Sequence, residues 1–564
     1  MDGLEFEALD PLKQCIGSDY DRPGTKHQTR SVVLAQHGMV ATSQPLAAQV
    51  GLEILKNGGN AADAAIATNA MMGLVEPMSN GIGGDIFVIY WDNKTKKLYG
   101  LNGSGRSPYA LNREVFQKKN LPYIPIRGPL AWSVPGCVDG WETLQKRFGS
   151  KSLKELLAPT IQYAEEGFPV TQIIAGYWRG AERTMRDLPD SRKTFLPGGK
   201  SPREGEIFKN PYLANSLREI ANNGRDAFYK GTIAKQIVEF SKSNGGYFSM
   251  KDFADHTSDW VEPVSTNYRG YDVWELPPNG QGIAALEMLN VMEGFDIKSM
   301  GSNSADYLHL LIEAKKLAFA DRAKFYADPK FHRLPVQELI SKKYAERQRK
   351  RINMQKAAID VPAGDPILQS GDTIYLTVID KDRNCCSLIQ SNYYGFGSQM
   401  VPGDLGFALQ NRGALFSLDK NHLNTLEPHK RPFHTIIPAF VTKDGKPYLS
   451  FGVMGGDMQP QGHVQVLVNM IDFGMNVQAA GDAARMRHYG SATPTGKPME
   501  ADGGAVGLET GVKREVVAEL RRRGHKLYKT RGSYGGYQAI MIDPKNGVLH
   551  GATESRKDGN AVGY

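Results

Sequence analysis

The sequence predicts a layered α/β sandwich, and three observations lead there. Strand-like apolar runs gather toward both ends of the 564-residue chain. The middle, roughly 140–350, is dominated by helical patterns. An alanine-rich segment, residues 61–75, is apolar all round and so belongs inside a close helix pair. No internal repeat and no shift of composition marks a boundary in the middle of the chain.

Residues 1–30 are polar and irregular and read as an arm. A short strand over 31–34 leads through His37-Gly38-Met39-Val40-Ala41-Thr42-Ser43 to a helix over 46–56, which ends at Asn57-Gly58-Gly59-Asn60. The buried helix 61–75 follows, stopped by Glu76-Pro77. Gly81-Ile82-Gly83-Gly84-Asp85 then opens a strand over 86–91; a phosphate loop would precede a helix, so that reading fails its context. The clearest middle helices are 153–166, 281–293 and 306–326. Residues 355–372, with Pro362, Gly364, Pro366, Ser370 and Gly371, form the one linker-like stretch. Strands return at 373–391, 435–441, 447–451, 538–543 and 548–552, interrupted by a helix over 461–471.

Residues 371–391 are the most informative. They read as two apolar strands about the turn Lys381-Asp382-Arg383-Asn384, whose residue types close hairpins. Folding about that turn sets Thr373 opposite Ser391 or its neighbour, with Cβ atoms of directly opposed residues about 5 Å apart. Two hydroxyls meet at the open end of a hairpin, an arrangement that suits a nucleophile and a supporting hydrogen-bond partner.

Composition narrows the function classes. A net charge of +8 is modest for this length and attracts small anions as readily as nucleic acid. The densest basic run, 342–351, lacks the aromatic interleaving of a nucleic-acid module and reads as a solvated helix face. No apolar run is long enough to span a bilayer, and residues 1–7 are acidic without a signal-peptide core, so a cytoplasmic protein is expected. Cys15, Cys137, Cys385 and Cys386 show neither zinc spacing nor a disulfide framework, and adjacent Cys385 and Cys386 fall on opposite strand faces. The histidines lack metal-ligand spacing, so neither metal nor organic cofactor is expected.

Five stretches, in order, resemble the γ-glutamyltransferase (γ-glutamyltranspeptidase) family of N-terminal-nucleophile hydrolases. They are Gly38–Ser43 through Gly58-Gly59-Asn60-Ala61-Ala62-Asp63-Ala64-Ala65 to Gly81-Ile82-Gly83-Gly84, then Ser133-Val134-Pro135-Gly136, the Thr373 hairpin, Lys430-Arg431-Pro432, and Gly452-Val453-Met454-Gly455-Gly456. The resemblance implies a four-layer αββα sandwich with a helix-rich large-subunit portion. It implies self-cleavage between Asp372 and Thr373, giving portions 1–372 and 373–564 that form one unit, and allows a homodimer of such processed heterodimers. Thr373 matches the nucleophile, Ser391 its hydroxyl partner, and Gly455 with Gly456 the oxyanion-binding amides. The chemistry stands apart from the analogy: a free α-amine, with a pKa about 7.7–8.0, can take a threonine's proton without a histidine.

The substrate-holding positions depart from the family. Leu415 stands where an acidic residue grips the substrate ammonium, with Arg412 at the preceding polar position. Tyr393 replaces an asparagine, and His434-Thr435 replaces a serine pair that binds the α-carboxylate. Ser104 takes the place of a carboxylate-binding arginine, with Arg106 two residues on. Arg106, Arg412, Tyr393, His434 and Thr435 are therefore the candidate substrate contacts, for a small anionic amide that carries a carboxylate and no ammonium. That pattern is more similar to the branch that includes oxamate amidohydrolase than to glutathione-processing enzymes, and cephalosporin acylases share the scaffold. The expectation is an amidohydrolase or acyltransferase acting through an acyl-enzyme. A γ-glutamyl hydrolase or transpeptidase and an uncleaved binding relative are the alternatives.

Overall fold

The structure, a computed structural model, describes residues 28–361, 372–530 and 532–564. Two seven-stranded sheets dominate it, and within each every neighbouring pair is antiparallel. The first sheet runs in the order Asn560–Gly563, Met39–Thr42, Asp372–Ile379, Cys385–Tyr393, Asp85–Asp92, Lys97–Gly103 and Asp259–Val261. The second runs Val33–Ala35, Leu549–Thr553, Tyr537–Ile542, Lys446–Val453, Ala439–Lys443, Tyr271–Glu275 and Val264–Tyr268. Strands from both sides of residue 372 interleave in both sheets.

The sheets face each other across a core that includes Phe87, Ile89, Tyr375, Ile389, Phe440 and Ile540. The outer face of the first packs on helices Pro45–Lys56, Ala61–Val75 and Cys137–Phe148. That of the second packs on Gly282–Met292, Ala305–Phe325 and Met458–Ile471. This is the expected αββα order, and it explains why the central strands are apolar at every position: Cys385–Tyr393 is buried throughout. Cys386 joins the helix-side core and Cys385 the inter-sheet core, so the two thiols do face opposite ways.

Helix Ala61–Val75 has the bounds its pattern predicts, because Asn60 and Asp63 close a capping box at its start. It lies so near Pro45–Lys56 that a Cβ on Gly51 would sit 2.1 Å from Thr68 Oγ1. Among the described residues no helix is long and apolar enough to cross a membrane.

Three predictions shift. Residues 435–438 are not strand: Ile437 N–H donates to the Gln459 side chain, and Pro438 has no N–H to give a neighbour, so pairing starts at Ala439. The last long helix starts at Met458, because Pro460 falls in its first turn, where no N–H is needed. The strands between 259 and 275 escaped notice because they are short and half-buried, at or next to a sheet edge.

Candidate active site

The hairpin closes as its turn residues require: Asp380 accepts the backbone N–H groups of Asp382 and Asn384. Ile374 pairs with Gln390, but Asp372 pairs with Tyr393, so Ser391 and Asn392 together oppose Thr373. Such a bulge re-aims side chains. Here it points Thr373 Oγ1 at Ser391 Oγ, to which it donates at 3.4 Å. Tyr393 N–H donates to the same serine oxygen at 2.8 Å, with Tyr393 in the left-handed region at φ 80°. A side chain held there stores backbone strain of order 1–3 kcal/mol, which persists only where surrounding contacts impose it. Thr373 is buried, 2% exposed.

Contacts between the sheets bring the glycine pair to the same place. Thr377 Oγ1 donates to Ser450 Oγ at 2.6 Å, and a Cβ on Gly452 would meet the Tyr375 ring at 2.5 Å. Gln459, three residues past Gly456, reaches Thr373 itself, with its Nε2 3.5 Å from Thr373 Oγ1, so the Gly455-Gly456 turn lies beside the open end of the hairpin. These glycines turn strand Lys446–Val453 into helix Met458–Ile471 at φ 114° and 58°, values that exclude most side chains. Their carbonyls accept Met458 N–H at 3.0 Å and Gln459 N–H at 3.1 Å. Among the described residues their own N–H groups have no acceptor. A pair of free amides before a helix start is a ready oxyanion binder.

Beside Tyr393 lies Arg412, with no exposed surface. Its Nη1 donates to Thr435 Oγ1 at 2.6 Å, and its guanidinium carbon sits 4.6 Å from the Tyr393 ring centre. Among the described residues Nε and Nη2, which form one bidentate edge, have no partner, nor has Tyr393 Oη. Unpaired charged donors in an interior are costly and point to a missing anion.

The nearby counter-charge is Asp85, wholly buried at the end of the Gly81–Gly84 turn. Burial pushes its carboxyl up to about 7, while Arg412 and the groups that donate to it pull the other way. Those donors are Gly105 N–H at 2.9 Å, Gly136 N–H at 3.1 Å and Gln410 Nε2 at 2.7 Å. His434 lies 3.0 Å from its second oxygen through Nε2. Since His434 Nδ1 accepts Ile436 N–H at 3.4 Å, Nε2 carries the hydrogen. Burial and the positive charge of Arg412 keep this imidazole neutral.

The structure thus brings Thr373, Ser391, Tyr393, Arg412, Thr435 and, through Asp85, His434 into one neighbourhood. The Arg106 side chain is engaged with other groups: it donates to the Thr257 carbonyl at 3.2 Å and reaches Asp259 at 3.5 Å, sharing both with Arg431. Asp372 pairs with Tyr393 through its backbone.

Sequence reasoning passed over Asp85, Gln281, Arg322, Asp457 and Gln459. Gln281 Nε2 donates to the Thr435 carbonyl at 2.6 Å and the Gly456 carbonyl at 2.9 Å, tying the arginine side of the site to the glycine turn. Arg322 Nη1 donates to Gln281 Oε1 and Asp457 Oδ1, both at 2.6 Å. The available signal was position: Asp85 ends one glycine turn, and Asp457 and Gln459 follow another. One further cluster, His309, Glu313 and His525, has ligand atoms within 4.8 Å of one another. It fits a metal poorly, because Lys316 and Ala358 N–H hold Glu313 and the two imidazoles hydrogen-bond at 2.7 Å.

A buried hydroxyl pair on two neighbouring central strands of an αββα sandwich, beside a turn with two free glycine amides, defines an N-terminal-nucleophile type of amide hydrolase. The model of the gamma-glutamyltranspeptidase family matches residues 47–564. The glutathione hydrolase-like YwrD proenzyme of Bacillus subtilis is 40% identical over 539 residues, 94% of this chain and 99% of that one. The oxamate amidohydrolase proenzyme of Klebsiella pneumoniae is 32% identical over 542 residues, again 94% and 99%. The crystal structure of cephalosporin acylase from Bacillus halodurans matches with a TM-score of 0.87 at 44% identity, covering 98% of this chain and 99% of its own. The chain belongs to the gamma-glutamyltranspeptidase family. It is a hydrolase or acylase of that family, a proenzyme whose large and small subunits come from one precursor.

Proposed function

We propose that this protein cuts itself between Asp372 and Thr373 and then hydrolyses an amide bond in a small, carboxylate-bearing, oxamate-like substrate. The observation behind the substrate class is the unpaired Nε/Nη2 edge of buried Arg412, which matches a planar carboxylate. Leu415, at the family's ammonium-gripping position, is buried in the apolar core of the second sheet and offers no charge.

In maturation Thr373 Oγ1 attacks the Asp372 carbonyl carbon, the peptide C–N bond breaks, and the nitrogen takes the hydroxyl proton. Water hydrolyses the resulting ester, leaving an Asp372 carboxylate and a free Thr373 amine. In turnover that amine takes the Oγ1 proton as Oγ1 attacks the substrate amide. Gly455 and Gly456 N–H groups hold the oxyanion, and Ser391, fixed by Tyr393 N–H, positions Oγ1 while the amine takes its proton. The amine leaves with that proton, and water or an acceptor amine releases the acyl group.

A γ-glutamyl amide is the second reading. It needs a partner for the substrate ammonium, and Asp457 is a carboxylate adjoining the glycine turn, though Arg322 already holds it at 2.6 Å. Processed protein assayed on oxamate, neutral short amides and γ-glutamyl-p-nitroanilide separates the two. The proposal expects oxamate-like amides to give the highest kcat/KM; preference for the γ-glutamyl compound would overturn the substrate class.

A further inference from the structure

The Thr373 hydroxyl has a third neighbour. Gln459 is fully buried in the first turn of helix Met458–Ile471, two residues beyond the Gly455-Gly456 turn's successor, Asp457. Its Oε1 accepts Ile437 N–H at 2.9 Å. That bond fixes which end of the amide faces which way, because a backbone N–H must meet oxygen and not NH₂. Nε2 is thereby turned to Thr373 Oγ1, 3.5 Å away. The helix start is itself tied down, with Gln459 N–H donating to Gly456 O at 3.1 Å. The side chain thus has a fixed root, a fixed orientation and a donor directed at the reacting oxygen.

We infer that Gln459 is a further catalytic residue, a side-chain donor that stabilises negative charge on Thr373 Oγ1. The inference rests on the function proposed above. At 3.5 Å the contact is loose for a neutral hydroxyl, and charge on the oxygen shortens and strengthens such a bond. Its largest effect falls in deacylation. Water adds to the acyl carbon and gives a proton to the Thr373 amine, the carbon–Oγ1 bond breaks with its electron pair left on Oγ1, and the resulting Thr373 ammonium returns that proton to the oxygen. Gln459 donates while the charge is there. The glycine amides act on the carbonyl oxygen, so the two sets of donors serve different atoms of the same step.

The test uses full-length Gln459→Glu and Gln459→Met. The first keeps size and the acceptor for Ile437 N–H but loses the donor; the second loses both. The inference expects slower self-cleavage, and in processed protein a kcat lower by about 10²-fold with a KM that falls alongside it, because slowed deacylation lets the acyl-enzyme build up. Intact-mass spectra during turnover should show the acylated small subunit accumulating in the variants and not in the wild type. Cleavage and kcat within about threefold of wild type in both variants would overturn it. So would a fall in melting temperature that accounts for the lost activity, since the residue would then be structural. If the wild type itself is uncut or inactive, the proposed function fails; if it is cut and active and the variants match it, only this inference fails.

Discussion

Arg412 concentrates the residue-scale argument. A guanidinium buried with two nitrogens unpaired among the described residues is tolerated where a ligand completes it, and lysine cannot reproduce that two-pronged edge. Arg412→Lys should therefore raise KM for a carboxylate-bearing amide by about tenfold or more, and leave neutral amides near wild type. Steady-state kinetics on the two substrate types is the check. Asp85 makes a second prediction. Its proton is bound more tightly in the folded chain, about 7, than at the ordinary carboxyl value of 3.8. Its contribution to stability is thus complete below about 4 and lost as pH rises through about 7. The fall in melting temperature between pH 5 and pH 8 should be smaller in Asp85→Asn than in the wild type. Ionised Asp85 also opposes an incoming carboxylate at Arg412, so KM for an anionic substrate should climb above pH 7. Neither residue's partner could be read from the sequence. Arg412 was visible as a charge at an unusual position, but its contact with Thr435 depends on two distant loops meeting.

At the scale of elements, the prediction concerns the helix pair that backs the Thr373 strand. Gly51 lies against Thr68 and Val40 with no room for a methyl group, so Gly51→Ala should destabilise the fold by roughly 1–3 kcal/mol. Urea unfolding with activity as a second probe would register it as a shifted midpoint with kcat unchanged. Elements with strong local rules were legible. Helices Ala61–Val75 and Leu153–Glu166 start at capping boxes and have the predicted bounds, and the Thr373 hairpin has a turn whose residue types specify it. Elements set by tertiary contact were not. Asp259–Val261 and Val264–Tyr268 are outer strands whose half-exposed side chains give no clean alternation. Residues 435–438 look like strand but spend a backbone donor on the Gln459 side chain. Gln459 itself was hidden because Pro460 made the helix seem to begin after it.

For the whole molecule, the two facing sheets place in register what the chain separates widely. Thr373, Ser391 and the glycine turn meet because one strand of each sheet stacks on the other, and Arg412 and Thr435 reach the same neighbourhood on connecting loops. Order and type of the layers were legible from the distribution of strands and helices and from the family resemblance. The convergence of Asp85, Gln281 and Arg322 was not, since each lies on a separate part of the chain and is held by backbone groups that no pattern marks. The central claim is that one peptide bond must break to free the Thr373 amine. The most direct measurement compares wild type and Thr373→Ala on a denaturing gel, with the amino-terminus of the smaller fragment read and amidase activity assayed on the same samples. The account predicts two wild-type fragments, the smaller beginning at Thr373, and an inactive Thr373→Ala chain that stays whole at 62.1 kDa. Active wild-type protein that is intact across Asp372–Thr373, or a Thr373→Ala variant that is cut and active, would contradict it.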